Sequence, residues 1–75
     1  MSPKITASTI AEQRAMRQEQ IIQTALSMAI EDGAQSITMS AVARAAGISR
    51  SALYEYFSSS ADLISDLILD ELNSY

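Results

Sequence analysis

The side chains that carry out most enzymatic chemistry are missing from this sequence of 75 residues. It contains no histidine and no cysteine, which removes imidazole bases, thiolate nucleophiles, disulfides and nearly every zinc or haem site. Catalysis would have to rely on carboxylates and tyrosines. Asp66 and Asp70 are spaced one helical turn apart, but two acids at this spacing on a polar helix face are usually solvated. The sequence therefore predicts a protein that is not an enzyme and that holds no metal or cofactor.

The formal net charge of −4 disfavours a nucleic-acid partner, because domains that bind phosphate backbones are usually basic. The charges are, however, unevenly distributed. Arg44 and Arg50 oppose Glu55 alone in residues 38–58, whereas residues 59–75 contain four acids and no base. Fields from exposed charges decay over about 8 to 10 Å at ordinary ionic strength, so the middle segment can be locally positive despite the acidic total.

The length of the chain allows one domain at most, and a domain of this size buries only about 60% of its unfolded surface. We therefore expect marginal stability and a chain that belongs to something larger. No apolar run approaches the roughly 18 residues needed to span a bilayer, and the first residues lack the pattern of a secretion signal. The expected location is the cytoplasm.

Residues 1–8 are polar, contain the proline and show no periodic apolar pattern, so they are predicted to form a flexible arm. Thr9 followed by Glu12 has the spacing of a capping box, which begins a helix. This first helix is predicted to cover about residues 10–32 and to end at Gly33, since glycine favours the left-handed turn that terminates helices. Apolar residues recur along it at steps of three and four and form one stripe: Ile22, Ala25, Leu26, Ala29 and Ile30.

Two shorter helices are predicted next. Thr38 can cap a second helix over about residues 39–46, which Gly47 ends. Ser49 can cap a third helix over about residues 50–57. The side chains predicted to face the core are Met39, Val42, Ala43, Ala46, Leu53 and Phe57, with one face of Tyr54 or Tyr56.

A fourth helix completes the pattern. Ser59 followed by Asp62 resembles another capping arrangement, and it precedes a helix that continues towards Asn73. The apolar residues of this helix are Leu63, Ile64, Leu67, Ile68 and Leu72. Four helices and no strand predict an all-α fold.

The segment from Val42 to Tyr54 combines two short helices with a sharp corner. A small residue in the first helix allows the second to approach closely, Gly47 makes the turn, and Ile48 packs in the corner. These are the mechanics of a helix-turn-helix, whose second helix enters the DNA major groove. An ordinary corner between two core helices fits the same residues, so this pattern alone leaves both interpretations open.

A longer, ordered pattern is shared with a known family. Its elements are Arg17 to Leu26 with Ile21-Ile22 and Ala25-Leu26, Glu31-Asp32-Gly33, Thr38, Val42-Ala43, Ala46-Gly47-Ile48-Ser49, Leu53-Tyr54, Tyr56-Phe57 and Leu63. On these residues the sequence resembles the TetR family of bacterial transcription regulators, from Arg14 to about Leu69. The resemblance implies a three-helix, homeodomain-like helix-turn-helix domain at residues 9–58. It also implies that the fourth helix, at residues 59–75, leads towards a C-terminal ligand-binding and dimerisation domain.

The resemblance implies a function and partners as well. The expected function is sequence-specific DNA binding in transcription regulation, as the DNA-binding domain of a repressor. The expected partners are a double-stranded, palindromic DNA operator, a second copy bound through the C-terminal domain, and a small-molecule effector. No membrane partner is expected.

The resemblance also assigns roles to single residues. Specific base contacts are implied for Ser40, Arg50, Ser51, Ala52 and Glu55. Among them, Arg50 can donate two hydrogen bonds to guanine O6 and N7. Phosphate contacts are implied for Thr38, Ser49, Tyr54, Tyr56, Ser60, Arg14, Arg17, Arg44 and Lys4. For Arg14, Arg17 and Lys4, a contact to the minor groove is the alternative. Simple capping by Thr38 or Ser40, a core position for one tyrosine, and a solvated Arg44 or Arg50 remain open.

The chain departs from the family pattern near the predicted DNA surface. Ser58, Ser59 and Ser60 stand where the family usually places a lysine against phosphate, which should lower the affinity for DNA. Ser51 stands where glycine is common. Glu55 occupies a position that is more often basic or neutral, where a carboxylate either accepts from cytosine N4 or repels unsuitable sequences.

A different class of function fits part of the sequence. In a helical protein-interaction module, the helix-turn-helix corner would serve packing alone, and the acidic fourth helix would dock a protein partner. Failure to bind any DNA at low salt would favour this alternative.

Overall fold

The computed structural model describes residues 9–73, so the predicted arm with Lys4 lies outside the described residues. Within this range the chain forms the predicted all-α fold, without a strand. Its elements are α1 (Ile10–Asp32), a 3₁₀ helix (Ala34–Ser36), α2 (Met39–Ala46), α3 (Arg50–Tyr54) and α4 (Ser60–Asn73). The long α1 packs against the 3₁₀ helix, α2 and α4, and α2 packs against α3.

Local hydrogen bonds determine both ends of α1. The Thr9 hydroxyl accepts from the Glu12 backbone N–H at 3.0 Å, and the Glu12 carboxylate accepts from the Thr9 N–H at 3.2 Å. This capping box satisfies N–H groups that have no partner within the helix. The helix ends at Gly33, which has a φ of 90° and whose N–H donates to the Ala29 carbonyl. Glycine adopts a positive φ more readily than other residues do. Both predicted ends of α1 are confirmed.

A tight corner joins α2 to α3. The Thr38 hydroxyl caps α2 by accepting from the Ala41 N–H at 3.1 Å. Gly47 ends α2 in the left-handed region with a φ of 76°, and the Ile48 N–H donates to the Ala43 carbonyl at 3.0 Å. This bond closes the end of the helix and satisfies a carbonyl that would otherwise lack a partner. The corner predicted from the sequence is therefore present and is held by local contacts.

One apolar core collects side chains from all four α-helices. The buried residues are Ile21, Ile22, Ala25, Ile37, Met39, Val42, Ala43, Leu53, Phe57, Leu63 and Leu67. Leu53 and Phe57 are 0% and 1% exposed, so α3 and the turn after it are anchored by their inward side chains. This anchoring leaves the opposite face of α3 free for a partner.

The apolar stripes predicted for α1 and α4 are longer than the faces that are buried. Ile30 in α1 is 75% exposed, and Ile68 and Leu72 in α4 are 52% and 65% exposed. These residues have the correct helical spacing, but no element within residues 9–73 covers them. Helical period determines which face is apolar, whereas the neighbouring elements determine how much of that face is covered.

The third helix is shorter than the sequence pattern predicts. The prediction extends to residue 57, but α3 ends at Tyr54. The N–H groups of Glu55 and Tyr56 donate to carbonyls three residues back, at 3.1 and 2.9 Å, which is a tighter turn than an α-helix makes. This turn leads the chain to Phe57 in the core, and burial of that ring outweighs continuation of the helix.

Candidate nucleic-acid interface

The outward face of α3 carries most of the residues predicted to contact bases. Arg50, Ser51 and Glu55 are exposed, and Tyr54 on the same face is 46% exposed. Ala52 is half-buried, which makes it the least accessible of the residues predicted to contact bases. The polar side chains at this face are therefore available to a partner, while the side chain of Ala52 can offer only limited contact.

Arg50 and Tyr54 lie one helical turn apart on this face. The guanidinium carbon of Arg50 is 6.0 Å from the centre of the Tyr54 ring, at the outer limit of a cation–π contact. Arg50 forms no hydrogen bond or ion pair with other residues in the described range 9–73. Its planar set of N–H donors is therefore free to meet paired acceptors on a ligand.

Hydroxyl groups cap both helices that meet at the corner. Thr38 caps α2, and the Ser49 hydroxyl caps α3 by accepting from the Ala52 N–H at 3.0 Å. A hydroxyl that accepts through its oxygen still has its hydrogen to donate. Capping and phosphate contact are therefore compatible for Thr38 and Ser49, and Ser40 stands exposed beside Thr38 in the first turn of α2.

The turn after α3 is joined to α1 through Arg14. The Arg14 guanidinium donates to the Glu55 carbonyl, and its central carbon lies 4.5 Å from the centre of the Tyr56 ring. Tyr56 is half-buried against the core, so one of the two tyrosines does take a partly internal position. Arg14, Arg17 and Tyr56 line a surface pocket of about 260 Å³. The sequence pattern did not predict this contact, because its partners are 41 residues apart.

An acid occupies the start of α4, close to the predicted contact at Ser60. The Ser59 hydroxyl accepts from the Asp62 N–H at 3.2 Å, and the Asp62 carboxylate accepts from the N–H and hydroxyl of Ser58 at 3.0 and 3.3 Å. The predicted capping arrangement is confirmed. It also means that donors of the serine run are partly engaged by a carboxylate, whose negative charge opposes the approach of a phosphate.

Comparison with known proteins identifies the family in which this arrangement occurs. A family model described as bacterial regulatory proteins of the TetR family matches residues 21–67, which is more than half of the chain. The chain belongs to the TetR family. No curated protein and no solved structure gives a significant match. The matched segment contains α2 and α3 completely, together with about half of α1 and half of α4.

As a TetR-family domain, the chain binds DNA and takes part in transcription regulation through a helix-turn-helix. In the structure this motif consists of α2, the corner at Gly47 and α3. The predictions of the family, of the all-α fold and of DNA binding are confirmed.

The TetR-family domain presents its predicted site residues in several places. Eight of them are exposed on α2, α3 and the adjoining turns: Thr38, Ser40, Arg44, Ser49, Arg50, Ser51, Tyr54 and Glu55. Arg14, Arg17 and Tyr56 meet at the surface between α1 and the end of α3. Ser60 is half-buried at the first position of α4.

In the TetR-family domain, α4 contains four acidic residues and no basic residue. Asp66 accepts from the Gln18 side chain at 3.3 Å, and both residues line a groove of about 290 Å³ with Asp70. This contact joins α4 to α1, so Asp66 has a structural partner. Residues 9–73 contain no group of three or more side chains suited to hold a metal ion. None of the helices in this range is both long and apolar enough to cross a membrane.

Proposed function

We propose that this TetR-family domain recognises a specific duplex sequence through the exposed face of α3. The observation that carries the proposal is the position of Arg50, exposed at the first residue of α3 and free of hydrogen bonds to residues 9–73. A guanidinium can donate two hydrogen bonds to O6 and N7 of guanine, a pair of acceptors that other bases do not offer in the major groove. Arg50 is therefore the proposed main determinant of sequence preference.

Further base contacts are proposed for neighbours of Arg50. Ser51 and Glu55 share the exposed surface of α3 and its following turn, and Ser40 is exposed in the first turn of α2. Ala52 is half-buried and would contribute at most an apolar contact to a thymine methyl group. The Glu55 carboxylate would either accept from cytosine N4 or repel sequences that lack this donor.

Phosphate contacts are proposed for side chains around α3, where they would orient the domain on the duplex. The proposed hydroxyl donors are Thr38, Ser49, Tyr54, Tyr56 and Ser60, and the proposed positive charges are Arg17 and Arg44. Arg14 was also expected to contact phosphate, but its guanidinium is already engaged within the domain. Lys4 keeps its expected role as a contact from the arm, outside the described residues.

We propose that the domain belongs to a repressor with the domain arrangement that the family implies. The domain would act in a repressor that binds a palindromic operator as a homodimer, with dimerisation and binding of a small-molecule effector in a domain after α4. Linking two DNA-binding domains makes the second half-site encounter intramolecular, which raises the apparent affinity by roughly 10² to 10⁴. Such a regulator acts where the bacterial chromosome lies, which is the cytoplasm, and it performs no catalytic step.

A second candidate function rests on the apolar surface of α4. Ile68, Leu69 and Leu72 are 52%, 56% and 65% exposed. A protein partner that covers these side chains would make the chain a protein-interaction module, with the helix-turn-helix corner kept for packing. A DNA-binding domain is expected to bind duplex DNA at low salt, whereas a protein-interaction module is expected to bind none.

Selection of duplexes from a random oligonucleotide pool, followed by mobility shift at low salt, tests the proposal. The chain is expected to enrich one motif, and Arg50→Ala is expected to lose preference at one position of it. Arg44→Ala is the matched control, because it removes the same charge from the neighbouring helix, and it should keep the motif. A chain that shifts no duplex at low salt would reject DNA recognition and favour the protein-interaction module.

A further inference from the structure

Arg14 connects two parts of the domain that are distant in the sequence. It lies on α1, and its guanidinium donates to the carbonyl of Glu55, 41 residues later, in the turn that follows α3. The same guanidinium lies 4.5 Å from the centre of the Tyr56 ring, within the distance of a cation–π contact. Two contacts of different kinds therefore hold this side chain in one place.

The segment that Arg14 contacts depends on support from outside itself. The five residues of α3 are too few to form a stable helix in isolation, and α3 packs against α2. At the end of a helix the last carbonyls have no partner within the helix, and the negative end of the helix dipole favours a cation. The guanidinium of Arg14 supplies both a donor and a positive charge at this end of α3.

We propose that Arg14 is a positioning residue: it holds the end of α3 against α1 and thereby sets the orientation in which Arg50 and Tyr54 meet DNA. The carbonyl and ring contacts hold the guanidinium of Arg14 beside the end of α3, while it keeps its positive charge. Arg14 therefore acts through α3. Its effect on DNA rests on the function proposed above, whereas the contact itself belongs to the free domain.

Arg17 provides a matched control on the same helix. It follows Arg14 by three residues, is exposed, and lines the same pocket of about 260 Å³. It forms no hydrogen bond or ion pair within residues 9–73. Arg17→Ala thus removes the same charge from nearly the same place without removing the contact to α3.

The first experiment uses the free chain without DNA. Amide hydrogen exchange measured by NMR reports on Leu53, Tyr56 and Phe57, whose N–H groups bond within α3 and the turn after it. Arg14→Ala is expected to accelerate exchange at these amides about fivefold relative to the amides of α1. The reason is that the contacts of Arg14 stabilise the folded, exchange-protected form of α3 and the turn after it, and the variant lacks them. Arg17→Ala should leave these rates unchanged. Equal rates in the parent and both variants would overturn the proposal.

A measurement on the unaltered chain does not depend on the folding of any variant. The side-chain protons of Arg14 should resonate upfield of the Arg17 protons, because they lie in the ring current of Tyr56. In Tyr56→Leu this difference is expected to disappear. Arg14 protons at the positions found for a solvated arginine in the parent chain would overturn the proposal even if no variant could be purified.

The second experiment measures binding to the duplex that the chain itself selects from a random pool. Arg14→Ala is expected to weaken binding several-fold with an unchanged dependence on salt, since no phosphate contact is lost. A contact to phosphate would instead lower the slope of log affinity against log salt by about one unit. That drop for Arg14→Ala would overturn the proposal. If the parent binds no duplex, the proposed function fails, and hydrogen exchange and the Arg14 proton positions still decide whether Arg14 holds α3.

Discussion

The guanidinium carbon of Arg50 lies 6.0 Å from the centre of the Tyr54 ring, so the two side chains share the exposed face of α3. Their chemistry differs, although their positions are close. Arg50 offers paired, charged donors, whereas Tyr54 offers one neutral hydroxyl at the edge of a ring. Substitution of the two residues is therefore expected to alter DNA binding in different ways.

Arg50→Ala is expected to cost about 1 to 3 kcal/mol at one base pair of the selected site and to relax the preference there. Tyr54→Phe should weaken all sequences alike and leave the salt slope unchanged, because the lost hydroxyl is neutral. Affinities for single-base variants of the site at two salt concentrations check both results. If Arg50→Ala weakens every duplex equally and lowers the slope by about one unit, specificity must lie with Ser40, Ser51 or Glu55.

Leu53→Ala is expected to destabilise the domain by about 2 to 5 kcal/mol, because it leaves a cavity in the core. Leu53 is 0% exposed, and a domain of this size has little stability in reserve. Leu72→Ala is the matched control, since it makes the same truncation at a position that is 65% exposed. Urea unfolding followed by circular dichroism measures both. Equal midpoints for the two variants would contradict the central position of Leu53.

Gly47→Ala is expected to destabilise the corner by about 1 to 2 kcal/mol through backbone conformation alone. The φ of Gly47 is 76°, and a Cβ placed there would meet no atom within 4 Å. Gly47→Asn should cost less, because asparagine tolerates the left-handed region better than alanine. Thermal unfolding of both variants distinguishes them. A larger loss with asparagine than with alanine would show that the conformation of Gly47 is not the cause.

Asp62→Asn is expected to raise DNA affinity about two- to threefold at low salt, since it removes a negative charge at the start of α4. The asparagine oxygen can still accept a hydrogen bond from Ser58, so the start of α4 should remain capped. Asp66→Asn makes the same charge change one turn further along α4 and serves as the control. Mobility shifts at low and high salt compare the two variants. An equal gain for both would attribute the effect to net charge instead of position.

By itself, the sequence determined both ends of α1 and α2, the start of α3, the corner and the family of this protein. Thr9, Thr38 and Ser49 each accept a hydrogen bond from an N–H three residues later, as their spacing predicts. Gly33 and Gly47 both adopt the positive φ expected of a helix-ending glycine. Contacts of this kind join residues that are neighbours along the chain, so residue types and spacing suffice to predict them.

Only the tertiary structure decided which of several similar side chains is engaged and how much of each helix is covered. Arg14 and Arg17 are alike in the sequence, but Arg14 contacts the Glu55 carbonyl and the Tyr56 ring. Ile30 continues the apolar stripe of α1 and is nevertheless 75% exposed. These outcomes depend on where one helix lies against another. The spacing of residues along the chain does not encode packing between elements that are distant in the sequence.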